Sequence, residues 1–204
     1  MKVAICTPCH GDPKLGFLLS MVGLTNHRIE NVDVRLFVVS SAILPQARNV
    51  LVAQAREWGA DWILWIDADM TFPPDTLSRL LARNVPVVGA NCVRRQTGQP
   101  STAYIGQTPV ATTEEKVRSG SVEQVSALGL GLCLTNTSIF ERLPEPWFLF
   151  GYDRDRKIAI GEDSFLFGNL LAAKIPVYVD HAVSWEIGHI AETVLKHQAP
   201  TPAK

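Results

Sequence analysis

Asp67 and Asp69 stand two residues apart at the end of the most apolar run in the chain, Trp62-Ile63-Leu64-Trp65-Ile66. A run apolar at every position predicts a strand buried on both faces, the usual state of a central parallel strand. In an extended continuation the two carboxylates point one way and Ala68 the other. Ligands of open α/β sheets bind beyond the carboxyl ends of the strands. The pattern therefore predicts two hard oxygen ligands at the mouth of a crevice, suited to Mg²⁺ or Mn²⁺ bound together with a phosphate. Two acids so placed repel unless a cation or donor lies between them. The plainer alternative is that they end the strand and cap the next helix.

Two chemistries use such a pair. A cation can bridge a sugar-linked diphosphate and stabilise the charge left as the glycosidic bond breaks. Alternatively Asp67 is a nucleophile that accepts a phosphoryl group, with the next Asp as acid/base. The order Asp-x-Asp-x-Thr resembles the haloacid-dehalogenase-type phosphatases, but here two strand–helix units precede it, and Gly161-Glu162-Asp163 lacks their wider acidic spacing. A catalytically silent carbohydrate- or nucleotide-binding module is a third reading. Cys6 and Cys9 have Cys-x-x-Cys spacing, yet no second pair completes a zinc site and Cys6 falls in an apolar run, so buried core thiols are expected.

These residues need positioning elements. Lys2 to Thr7 reads as a first strand and Thr7 to Pro13 as a loop rich in turn residues, with His10 either a solvated loop histidine or a phosphate contact. Leu15 to Leu24 reads as a helix, Val34 to Val39 as a strand, and Gln46 to Trp58 as a helix stopped by Gly59. The strand Trp62 to Asp67 is followed by a helix, Thr76 to Ala82, with prolines at its start, and by a strand from Val85 to Cys92. Such alternation predicts a parallel sheet with right-handed crossovers. Arg94 to Gly120 is polar and reads as a loop or a hairpin, Thr102 to Ile105 against Val122 to Val125. Leu128 to Asn136 is strand-like, Ser138 to Arg142 a short helix, Glu162 to Lys174 a helix with acids at its favoured end, and Pro176 to Asp180 a last strand. Gly129-Leu130-Gly131 lacks the third glycine of a dinucleotide fingerprint and instead suits close backbone approach. The aromatics Trp147, Phe148, Phe150 and Tyr152 suit stacking on sugars or core packing.

Bulk properties narrow the classes. The 204 residues carry a formal net charge of -1 and 47% hydrophobic residues, which gives no basic footprint for nucleic acid and enough apolar surface for a core. No stretch has the length of a membrane span, and the apolar run at the N-terminus is too short for a signal peptide. The expectation is a cytoplasmic protein with one domain over residues 1–190 and a partly flexible tail over 191–204.

Read together, the ordered motifs from about Val3 to His189 resemble the GT-A glycosyltransferases, particularly the family-2-like ones. Thr7-Pro8 follows the first strand, Arg48-Asn49 heads a helix, Gly59 to Asp69 looks like the Asp-x-Asp region, Gly161-Glu162-Asp163 like a Glu-Asp motif, and His189 like a C-terminal histidine. The resemblance implies an α/β, Rossmann-like, mostly parallel sheet flanked by helices. It implies transfer of a sugar from a nucleoside-diphosphate donor, with a uridine-linked donor expected, to an acceptor hydroxyl of unidentified class. Mn²⁺ or Mg²⁺ would be held by Asp67, Asp69 and His189, with His181 the competing histidine. Thr7, Pro8, Arg48 and Asp67 would bind donor, and Glu162 and Asp163 would act at the acceptor, Asp163 as general base in an inverting enzyme. Arg94-Arg95 could close over the diphosphate or stay solvated. Ser40-Ser41-Ala42 stands where many members carry acids that hold the base.

Overall fold

The computed structural model describes residues 1–95, 100–155, 157–191 and 194–195. The chain begins with β1 (Lys2–Cys9), α1 (Leu15–Asn26), β2 (Asp33–Ser40), α2 (Leu44–Glu57), β3 (Trp62–Ile66), β4 (Met70–Thr71), α3 (Thr76–Ala82) and β5 (Val87–Gly89). An excursion follows, with β6 (Tyr104–Ile105), β7 (Thr108–Pro109), α4 (Glu114–Arg118) and β8 (Val122–Val125). The chain then re-enters the sheet as β9 (Leu132–Asn136), makes a 3-10 turn at Thr137–Glu141, and continues through β10 (Gly151–Asp153), β11 (Ile158–Ile160), α5 (Glu162–Ala172), β12 (Val177–Asp180), α6 (His181–Glu186), β13 (Gly188–Ile190) and β14 (Val194–Leu195).

Seven strands form the main sheet in the order β2-β1-β3-β9-β5-β12-β8. β2, β1, β3, β5 and β12 run one way, while β9 and β8 run against their neighbours. The mostly parallel sheet expected from the strand–helix alternation is therefore present, with one correction. The apolar stretch before Asn136 enters antiparallel between β3 and β5, because no crossover helix precedes it to bring it round in the parallel sense. Gly89 permits that insertion: a Cβ there would lie 2.8 Å from the Leu132 carbonyl oxygen.

The apolar run of β3 divides between two cores. Ile63 and Trp65 face a layer built by α2, α5 and the aromatics Phe140, Trp147 and Phe148. Leu64 and Ile66 face α1, α3 and α6. Both faces of this strand are dry, which is why its sequence does not alternate. Trp65 is fully buried, packs edge-on against Phe148 with ring centroids 5.3 Å apart, and donates its indole N–H to Thr135 Oγ1 at 3.2 Å. Trp147 and Phe148 are thus core residues rather than sugar platforms, whereas Phe150 and Tyr152 are exposed. β2 is the sheet edge, and its Val34, Leu36 and Val38 are exposed.

The polar excursion is pinned by a buried network, and the expected pairing of Thr102 to Ile105 with Val122 to Val125 is reduced to one antiparallel bridge between Tyr104 and Ala127. β6 pairs with β7, and β8 joins the sheet edge against β12. Buried Asn91 donates to the Val110 carbonyl at 2.7 Å and accepts from the Ala103 N–H at 2.8 Å. Its backbone N–H donates to Ser184 Oγ at 2.8 Å. His181, fully buried, has Nδ1 3.0 Å from Thr112 Oγ1 and Nε2 2.9 Å from Glu123 Oε2, and Lys116 donates to the same carboxylate oxygen at 2.6 Å. Both ring nitrogens of His181 are thus engaged by Thr112 and Glu123, and neither meets Asp67 or Asp69. Within the tail expected to be partly flexible, Val194–Leu195 form β14 and pair with β13; residues 192–193 and 196–204 lie outside the described residues. Among the described residues no helix is long and apolar enough to cross a membrane.

Burial holds the His181 imidazole below its ordinary pKa of 6.5, outweighing the neighbouring Glu123 carboxylate. A depressed folded-state pKa means that the unfolded chain binds the extra proton first. Stability is then full above pH 6.5 and falls as pH drops through the depressed value. Thermal melts between pH 7.5 and 5 should show a falling midpoint. His181→Asn should start from a lower midpoint and show a shallower pH slope; an unchanged slope would refute the assignment.

Candidate active site

The strand β3 stops at Ile66, and residues 67–69 form a turn before β4. The turn closes through Met70 N–H to the Asp67 carbonyl at 3.1 Å. Strand alternation therefore does not extend over the pair, and the two carboxylates find different partners. Asp67 keeps the side of Trp65 and meets α2; Asp69 turns toward β13, whose Ile190 N–H donates to the Asp69 carbonyl at 2.8 Å.

Arg48, 2% exposed, rises from α2 between two acids. Its Nη2 donates to Asp67 Oδ1 at 3.0 Å and its Nε to Glu162 Oε1 at 3.2 Å. The guanidinium carbon lies 5.6 Å from the centroid of the Trp65 ring. Among the described residues Nη1 has no hydrogen-bond partner. Burial pushes the Glu162 carboxyl up from its ordinary range; Arg48 opposes this, and the neighbouring Asp163 adds to it. Arg48 does not line the cleft, so the structure sets it beneath the site as a tether between acids rather than at a donor phosphate. Asp163 is less buried than Glu162, and its Oδ1 accepts from the Ser164 N–H at 2.6 Å.

Asp69 lies in a second cluster. His189 Nδ1 is 2.8 Å from the Val93 carbonyl, which can only accept, so Nδ1 carries the proton and Nε2 a lone pair. That Nε2 lies 3.4 Å from Asp69 Oδ2. Arg95 reaches both, donating Nε to His189 Nε2 at 3.0 Å and Nη2 to Asp69 Oδ2. A cation already sits where the lone pairs of Asp69 and His189 converge, and that carboxylate–imidazole pair suits Mn²⁺. Asp67 does not join them, and among the described residues no group of three His, Cys, Asp or Glu side chains is arranged to hold a metal.

Above the turn lies a cleft of about 810 Å³ lined by residues that include Pro8, His10, Asp12, Lys14, Asp67 and Asp69, with Ser41, Ala42 and Arg95 also on its wall. It opens at the carboxyl ends of β1 and β3. Pro8 is in the wall as expected, but Thr7 is buried, and among the described residues its hydroxyl has no partner. Asp12 and Lys14 were not anticipated; they add one charge of each sign in a loop whose only sequence signal was its turn composition. Gly131 passes under the site: its carbonyl accepts from the Asp67 N–H at 3.0 Å, and a Cβ would lie 3.3 Å from Cys92 Sγ and 3.7 Å from Asp67 Oδ2. The Cys92 thiol, pushed up to about 12 mainly by burial, stays protonated beneath the aspartate.

Comparisons with known proteins bear on this arrangement. Residues 33–108, less than half of the chain, match the model of Anp1, a GT-A-like glycosyltransferase family. No curated protein matches the chain in sequence. Among solved structures, A197 from STIV superposes with a TM-score of 0.65 at 16% identity, covering 100% of this chain and 98% of that one. GalNAc-T7, crystallised with UDP, GalNAc and Mn²⁺, superposes at 0.59 with 12% identity, covering 93% of this chain. The present chain spans 44% of that protein's chain. At these identities the likeness is one of fold, and the chain has a GT-A glycosyltransferase-like fold.

Proposed function

We propose that the chain transfers a sugar from a nucleoside-diphosphate donor to an acceptor hydroxyl, using Mn²⁺ or Mg²⁺ held at Asp69 and His189. The observation that carries this reading is the convergence of Asp69 Oδ2 and the His189 Nε2 lone pair, 3.4 Å apart, beside a cleft at the strand ends. The match to a glycosyltransferase family model over the Asp-x-Asp segment supports it. A bound divalent ion would supply Lewis-acid stabilisation of the departing diphosphate.

The chain's own residues take distinct parts. Asp69 and His189 offer one oxygen and one nitrogen, leaving the other coordination positions to diphosphate and water. Asp67, held by Arg48, faces the cleft as a fixed acceptor for a donor hydroxyl. Pro8, Ser41 and Ala42 form a small-residue wall without acids, so a base lying there would be read by backbone and hydroxyl groups. Of the two acids that open α5, Glu162 is committed to Arg48 and Asp163 retains access to solvent; Asp163 is our choice of general base. The phosphohydrolase alternative needs Asp67 as an unencumbered nucleophile, whereas its Oδ1 is fixed by a buried guanidinium.

Calorimetric titration with a panel of nucleotide-sugars should reveal binding that requires Mn²⁺ or Mg²⁺ and vanishes in Asp69→Ala. Equal binding in chelator would remove the metal from the mechanism. Asp163→Asn should lower kcat by about 100-fold or more with donor affinity little changed; retained turnover would exclude it as base. Arg48→Met leaves two carboxylates without their buried counter-charge and should cost about 3–5 kcal/mol of unfolding free energy in urea, while a loss below about 1 kcal/mol, the scale of a surface pair, would refute the tether.

A further inference from the structure

Arg95 is held in a way that its own exposure does not explain. Its side chain is 63% exposed, so an ion pair there contributes little to stability. Yet the guanidinium edge is satisfied on both sides, Nε by His189 Nε2 and Nη2 by Asp69 Oδ2. Those are the two atoms that the transfer reading gives to a divalent ion. Their 3.4 Å separation matches neighbouring ligands of one small cation, which at bond lengths near 2.1 Å lie about 3 Å apart. The single lone pair of His189 Nε2 cannot serve a guanidinium N–H and a metal together, and a divalent ion on Asp69 Oδ2 would repel the guanidinium beside it.

Resting on that reading, we propose that Arg95 is a built-in counter-ion which the divalent cation displaces, and that the displaced guanidinium then binds the donor diphosphate. The histidine is prepared for either occupant: the Val93 carbonyl fixes the proton on Nδ1 and keeps the Nε2 lone pair available. Arg95 and Val93 belong to the same segment, two residues apart, so the group that orients the imidazole and the group that covers it arrive together. Released, Arg95 remains on the wall of the cleft with Lys14 and His10, where a planar guanidinium can bind phosphate oxygens in bidentate fashion. The exchange makes metal and donor mutually dependent. Metal alone must displace the arginine from its two partners, while metal with a diphosphate offers the displaced arginine a phosphate in their place.

The test measures Mn²⁺ binding by electron paramagnetic resonance of the free ion, without nucleotide, on the full chain. Arg95→Met keeps length and removes charge. It should bind Mn²⁺ about tenfold more tightly than the unsubstituted chain if Arg95 occupies the site in roughly nine molecules of ten. Affinity equal to or weaker than that of the unsubstituted chain overturns the exchange. Asp69→Asn serves as the separate control on the underlying reading: it should lose Mn²⁺ binding, and if it binds as well as the unsubstituted chain, the metal site itself is wrong. With Mn²⁺ saturating, UDP should bind Arg95→Met about tenfold more weakly or worse; unchanged UDP affinity overturns the second half of the proposal.

Discussion

A single buried guanidinium organises this protein. Arg48 comes from a helix that packs on the sheet, and it holds the first acid of the Asp-x-Asp turn and the first acid of α5 in one cluster. A positive charge almost wholly removed from water must be paired, so neither carboxylate can leave without exposing the arginine to an apolar wall of Trp65 and Phe148. Segments 114 residues apart are thereby fixed relative to one another. The Asp-x-Asp turn and the helix that carries Asp163 share an anchor. The anchor is charged, and burial already lifts the affinity of Glu162 for a proton. The placement of the Asp67 turn relative to α5 is thus tied to the ionisation of one cluster.

The second cation, Arg95, contrasts with the first. Arg48 is enclosed by aromatics; Arg95 projects from a surface segment and meets Asp69 and His189 near the rim. Burial makes one permanent and exposure leaves the other exchangeable. Between them they account for the different partners of two aspartates separated by one alanine: the turn at residues 67–69 sends one toward α2 and the other toward β13.

Much of the scaffold was legible in the sequence because its signals are local. The unbroken apolar run of β3 announced a strand dry on both faces, and Thr76–Ala82 begins and ends where its prolines and Asn84 said it should. His189 was visible as a partner of Asp69 only through resemblance, since no spacing rule connects Asp69 to a residue 120 positions later. What the sequence did not show is non-local. The antiparallel entry of β9 depends on the path of the excursion. The retreat of Trp147 and Phe148 into the core depends on a hollow left by Trp65 and Phe140. His181 looked like a candidate ligand because imidazole is versatile; its environment, a threonine, a lysine and a glutamate around a buried ring, comes from the stretch between Thr112 and Glu123, far back in the chain. The Arg95 contacts were hidden for the same reason, an arginine in a polar stretch having no periodic partner.

Gly89 and Gly131 carry a further implication for how this chain can diverge. Both lie behind the Asp-x-Asp turn, one where β5 meets the backbone of β9 and the other where the chain enters β9 under Asp67. At residue 89 even a methyl group would collide with a main-chain oxygen, an atom that cannot rotate aside. At residue 131 the nearest neighbours are two sulfur atoms, which are more yielding. Evolutionary drift is therefore closed at the first position and only narrowed at the second. Homologues are expected to vary first in the loop around Asp12 and Lys14, where a new side chain meets solvent before it meets the sheet.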